Sequence, residues 1–205
     1  MLAFFFVNNL TFFVIHQFSF FSRPMLKKYL VDPKQRQIVL FLVKAILLYT
    51  IWFVSYDFFI APDGSLDAWL DDIVAGHAAN LLNIFGFNGS TSPGIDQTIV
   101  LINGVSMVGV GDPCNGLELF VLFTGFIICF PGNISSKLFY IPVGIIIIYI
   151  CNVIRTMLLS LIQLKAPEYL ELNHHYTFTI IVYSIIFFLW IYWVNNYSAF
   201  KKQPK

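Results

Sequence analysis

The chain has 205 residues, 58% hydrophobic and only 11% charged, with a formal net charge of +1. A soluble domain carries about 25% charged residues, so the composition points to an integral membrane protein with little room for a separate soluble domain. Basic residues too few and scattered to form a nucleic-acid-binding face argue against that class. Cys114, Cys129 and Cys151 form no CxxC pair and no zinc-ligand spacing, so neither a disulfide framework nor a metal or other cofactor is expected.

The chain opens on an apolar, Phe-rich stretch, Leu2–Phe21, interrupted by Asn8, Asn9, His16 and Gln17. Met25 is followed by "LKKYLVDPKQRQ", a basic start typical of a cytoplasmic N-terminus. Translation is therefore expected to begin at Met25, with residues 1–24 an extension from a misplaced start codon. The other readings are an uncleaved signal-like segment and an extra span. Residues 25–205 then form a single membrane-embedded domain.

A membrane span needs about 20 mostly apolar residues. Ile38–Ile60, Leu117–Phe130, Leu138–Gln163 and Thr177–Tyr197 qualify, the second being short unless it starts near Cys114. Arg23, Lys27, Lys28, Lys34 and Arg36 precede the first of them, and no Lys or Arg occurs between Lys44 and Lys137. Basic residues stay on the cytoplasmic side. The long loop holding Asp63, Asp67, Asp71, Asp72, Asp96 and Asp112 is thus expected outside, with Lys137 marking an inner turn. Loop 164–173 returns outside and Lys201, Lys202 and Lys205 end inside, which puts both termini of the four-span core in the cytoplasm.

Within the outer loop, Ser65 is a candidate N-cap for a helix with Leu66, Trp69, Leu70, Ile73, Leu81 and Ile84 on its apolar side. Such a helix would lie in the membrane interface with Trp69 at headgroup depth. "GFNGSTSPG" reads as a turn or linker. "QTIVLINGVSMVGV" places two β-rich runs around Asn103-Gly104, the pair that favours a type I′ hairpin. The fold class expected is an all-α polytopic membrane protein, with about four core transmembrane helices and an external loop carrying an interfacial helix and a short β-hairpin.

The hairpin feeds "GDPCNG". With Asp112 as cap and Pro113 in the first turn, Cys114 would sit at the N-terminus of the second span. The exposed N–H groups and helix dipole there favour an anion, and the thiolate is the reactive form. Asn115 and Gly116 would add a donor and a close backbone approach for a substrate carbonyl. The competing reading is a small buried thiol.

Arg155, in "YICNVIRTMLLSL", sits in the outer half of the third span. A charge there costs about 2.5–3.5 kcal/mol on the insertion scale when centred and is a functional candidate by default. Snorkelling, or pairing with Glu118, is the alternative. Asn152, three residues earlier, shares its helical face. His174 and His175 open the fourth span, where one could act as general acid or base; adjacent helical side chains diverge by about 100°, so both are not expected at one site. His77 is a rival base. Thiol, guanidinium and imidazole from three successive spans near one membrane surface compose a nucleophile with its base.

"PCNGLELF", "NVIR" and the His opening the next span resemble the exosortase/archaeosortase family, and "NHHYTF" with the chain's compactness resembles its small F-type subgroup. The resemblance covers roughly Ile38 to Tyr197. It implies a polytopic cysteine transpeptidase in the cell (inner) membrane, acting on its outer face. Its substrates would be membrane-anchored proteins ending in a short motif, a transmembrane helix and a basic tail, cleaved and passed to an acceptor. It implies Cys114 as nucleophile, Arg155 as stabiliser of thiolate or oxyanion, and His174 or His175 as proton carrier, with His174 preferred beside Asn173. The reading from another class is a non-enzymatic component of surface polysaccharide or protein export. A small transporter is disfavoured because the polar residues cluster on the outer half.

Overall fold

The structure is a computed structural model that describes residues 33–199. The expectations for Leu2–Phe21 and for a start at Met25 lie outside the described residues. Residues 1–44 and 45–205 form separate compact units; what is described of the first is the opening turns of helix α1.

Helix α1 spans Pro33–Ser55 and continues through a π-helical turn, Tyr56–Ile60, and a last α-turn, Ala61–Asp63. Gly64 ends it with φ 64°, the left-handed geometry that closes helix C-termini and that glycine adopts without strain. Helix α2, Ser65–Ile84, starts at once. Ser65 is the first helical residue rather than the cap, and its hydroxyl bonds back to the Asp63 carboxylate.

The packed face of α2 is its small-residue side. Leu70, Val74, Ala75, Ala78, Ala79 and Leu82 are buried, whereas Trp69 is 59% and Ile84 76% exposed. Small residues let the helix lie close against its neighbours, so shape selects the inner face over bulk hydrophobicity.

Those neighbours are a three-stranded antiparallel sheet of order β1-β2-β3: β1 Gly89–Pro93, β2 Thr98–Ile102 and β3 Val105–Val110. The expected hairpin is β2–β3, with Asn103 at φ 53° and Gly104 at φ 77°, the two positive values a type I′ turn requires. Strand β1 corrects the linker reading of "GFNGSTSPG". Asn83 clamps the Gly89 backbone at both ends, accepting from its N–H at 2.7 Å and donating to its carbonyl at 3.0 Å. A Cβ at Gly89 would collide with the Ala79 carbonyl. The strand exists because this close approach holds it against β2, not because its own sequence alternates.

Helix α3, Leu117–Cys129, has 13 residues, about 20 Å of rise and so short of the roughly 30 Å hydrocarbon core. Among the described residues three helical runs are long and apolar enough to cross a membrane: Gln35–Asp63, Ile134–Lys165 and Pro167–Asn196. The four-span expectation is met for these three and not for α3.

Helix α4, Ile134–Lys165, is capped by the Asn133 side chain, which accepts from Ser135 N–H. Lys137 sends its ammonium to the carbonyls of Ile128 and Phe130, 2.7 Å each, a cation at the C-terminal end of α3, where the helix dipole favours one. The loop expected over 164–173 is largely helical. Ala166 alone separates α4 from a 3-10 turn, Pro167–Tyr169, which runs through Leu170–Leu172 and a π-helical turn, Asn173–Thr177, into helix α5, Phe178–Asn196.

Two cores result. One packs α2 on β2, β3 and the C-terminal half of α4 through Val74, Ala78, Leu82, Val100, Ile102, Val110, Val153 and Met157. The other joins α3, α4 and α5 through Phe123, Ile127, Tyr140, Ile148, Val182, Ile186 and Trp193. Helix α4 belongs to both, and the residues between Ile148 and Val153 lie at the seam. The polar residues gather there.

Candidate active site

The segment from Gly111 to Gly116 links the end of β3 to the start of α3. Cys114 lies in its turn, three residues before the helix, which corrects the expectation that it occupies the first helical turn. Gly116, not Asp112, precedes the helix, at φ 91°. Anion stabilisation by that helix end is therefore less direct than expected, and local side chains surround the sulfur instead.

The Cys114 backbone is held at both sides. Its N–H donates to the Gly111 carbonyl, and its carbonyl accepts from Asn152 Nδ2 at 2.9 Å. Asn152 is fully buried, so its amide holds the Cys114 turn rather than pointing into solvent. Its Oδ1 is buried without a partner among the described residues. A Cβ on Gly116 would come within 3.1 Å of the same Nδ2; together with the left-handed φ this explains glycine at that position.

The Cys114 sulfur, half-buried, has two neighbours. His174 Nε2 lies at 3.2 Å. Arg155 approaches from α4 with its terminal nitrogen at 3.8 Å. Among the described residues this sulfur, not Glu118, is the polar partner recorded for Arg155, and its buried Nε has none. His175 is exposed and meets the ring of His174 edge-on, with centroids 4.9 Å apart. Both lie in the π-helical turn 173–177, where one imidazole meets the thiol and its neighbour sits edge-on to it.

Asn115 is fully buried and turned inward. Its Nδ2 donates to Asp67 Oδ1 at 2.7 Å, and its Oδ1 accepts from Leu117 N–H at 3.0 Å. Asp67 also accepts from the Tyr56 hydroxyl at 3.1 Å. Tyr56 and Asp67 did not stand out in the sequence, since an Asp in the first turn of a helix ordinarily just complements the dipole.

One helical turn on, Asp71 is buried with its Oδ1 unpartnered. Burial pushes its carboxyl up from the ordinary 3.8 to about 6; an Asn115 hydrogen bond pulls the other way, and the charges of Asp67, Asp72 and Asp112 add to the rise. His77, the rival base, is engaged elsewhere: its Nδ1 lies 2.8 Å from both the Ile73 carbonyl and the Tyr149 hydroxyl. Cys129 is buried at the far end of α3. Among the described residues no group of three His, Cys, Asp or Glu side chains is arranged to hold a metal ion.

No curated protein and no solved structure matches the chain. The family model described as transmembrane exosortase (Exosortase_EpsH) matches residues 6–192, nearly the whole length, and the chain belongs to the transmembrane exosortase family.

Proposed function

We propose that the chain is a membrane-embedded cysteine transpeptidase. It cleaves the C-terminal sorting signal of exported proteins at the outer face of the cell membrane and transfers the new C-terminus to an acceptor. The observation that carries this reading is the convergence on one sulfur of His174 at 3.2 Å and Arg155 at 3.8 Å.

In the first half-reaction His174 takes the Cys114 proton and the thiolate attacks the scissile carbonyl carbon. The tetrahedral oxyanion is met by Arg155 and by the N–H groups of Asn115 and Gly116. As the C–N bond breaks, His174 returns the proton to the leaving amine, and a thioester remains on Cys114. An acceptor amine, hydroxyl or water then attacks that thioester, gives its proton to His174 and releases the thiolate.

Depth supports the outer location. Asn152 is 18 residues beyond Ile134 at the inner turn, about 27 Å of helical rise, close to the thickness of the hydrocarbon core. Cys114, bonded to Asn152, shares that depth, so α3 and the turn before it together complete the fourth crossing. Exposed Trp69 and Ile84 fit α2 as an element in contact with the lipid interface. The test is processing of a membrane-anchored reporter carrying a motif, a transmembrane helix and a basic tail. Cys114→Ala abolishes cleavage with membrane insertion intact, and Cys129→Ala does not; equal loss in both overturns the reading.

A further inference from the structure

The geometry points to Asp67 as a positioning residue for Cys114, acting through the buried amide of Asn115. This rests on the reading of Cys114 as the nucleophile. The carboxylate has both oxygens in use, Oδ2 by the Tyr56 hydroxyl and Oδ1 by Asn115 Nδ2. The other end of the Asn115 amide accepts from the N–H of Leu117, the first residue of α3. Gly116 at the cap position has no side chain to do this. One unbroken set of hydrogen bonds therefore joins the end of the first membrane helix, the first turn of α2, the residue next to the nucleophile and the start of α3.

Helix-dipole complementarity alone accounts for an acidic residue at position 67, but not for its contact with a side chain that has no exposure to water. Without Asp67 the buried Asn115 amide is left with the Asp71 carboxylate as its acceptor and turns toward it. If Asp67 is removed, Asn115 rotates, and the adjacent Cys114 moves relative to His174 and Arg155, which belong to other helices and stay in place. A misplacement of about 1 Å at a reacting centre can cost about a hundredfold in rate.

Charge and position predict opposite orders among variants. The negative charge of Asp67 disfavours a thiolate nearby, so loss of charge alone would speed Cys114. If position decides, Asp67→Asn is the conservative rescue. Its oxygen accepts from Asn115, its amide donates to the Tyr56 oxygen, and the hydroxyl changes from donor to acceptor. Asp67→Glu keeps the charge but adds a methylene that displaces the Asn115 amide. Asp67→Ala removes the partner.

The experiment is alkylation of Cys114 by iodoacetamide at pH 7 in native membranes, quantified by peptide mass spectrometry and normalised to folded protein. The expected rates fall about tenfold or more for Asp67→Glu and Asp67→Ala and stay within about twofold for Asp67→Asn. The proposal is overturned if Asp67→Glu matches the parent, or if Asp67→Asn falls as far as Asp67→Glu. If only Asp67→Ala fails to fold, the Glu and Asn variants still decide. A parent Cys114 whose rate is insensitive to His174→Ala would instead sink the nucleophile reading on which this rests.

Discussion

His174 Nε2 lies 3.2 Å from Cys114 Sγ, joined across 60 residues of chain, while the adjacent His175 is exposed and meets the His174 ring edge-on. General acid–base transfer contributes about 10²–10⁴-fold. His174→Ala is expected to lower reporter cleavage by at least about a hundredfold on that scale, and His175→Ala by less than about tenfold. The reverse order would assign the proton carrier to the other imidazole.

Arg155 brings one terminal nitrogen of a planar guanidinium to the sulfur, whereas lysine is a compact point charge on a flexible stem. Arg155→Lys keeps the charge and loses the geometry. Cleavage is expected to fall by about a hundredfold, the scale of losing one oxyanion donor. Protein level and insertion should be unchanged in a membrane fractionation. Retention of full activity would mean that only the charge matters.

Gly116 combines φ 91° with a 3.1 Å approach to Asn152 Nδ2. Gly116→Ala costs about 1–2 kcal/mol of backbone strain and pushes on the amide that holds the Cys114 carbonyl. Cleavage should fall more than thermal stability does. A variant with parental activity would show that this contact is loose.

Asp71 gives a pH signature. Its carboxyl holds its proton up to about 6 in the fold and to 3.8 ordinarily. Between those values the native state binds more protons than the unfolded state, so stability falls as pH rises through the window and stays lower above it. Asp71→Asn removes the burial cost and the repulsion from Asp67, Asp72 and Asp112. Its advantage in melting temperature in detergent should be absent near pH 4, grow toward pH 6 and level off beyond. An advantage equal at every pH would contradict this account.

Gly144 on α4 faces the ring of Phe123, and a Cβ there would collide with it. Phe123 belongs to the three-helix core, and neither residue is a neighbour of the Cys114 sulfur. Gly144→Ala should destabilise the protein by about 1–3 kcal/mol through overpacking, read as a lower melting temperature. The Cys114 alkylation rate per folded molecule should stay near the parent value.

The thiol, guanidinium and imidazole were legible because polar groups in apolar helices are costly and so stand out, and the β2–β3 hairpin because Asn103-Gly104 has few other uses. Strand β1 was not legible: Gly89–Pro93 has no alternation of its own, and its conformation is imposed by Asn83 and by contact with Ala79. The packed face of α2 was not legible because its alanines carry little hydrophobic signal, whereas packing against a sheet selects small residues. The start of α3 was placed early because Asp112-Pro113 imitates a helix entry while Gly116 provides it. Asp67 and the inward turn of Asn115 depend on contacts 48 residues apart, which periodicity cannot reveal.

The most direct measurement is the rate at which iodoacetamide modifies Cys114 at pH 7, read by peptide mass spectrometry in the parent, in His174→Ala and in Arg155→Lys. Cys129 and Cys151 of the same chain serve as internal references. The account predicts that Cys114 outpaces both, and that each substitution slows it by about tenfold or more while leaving the two references unchanged. A Cys114 rate indifferent to both substitutions would contradict the claim that these residues activate it.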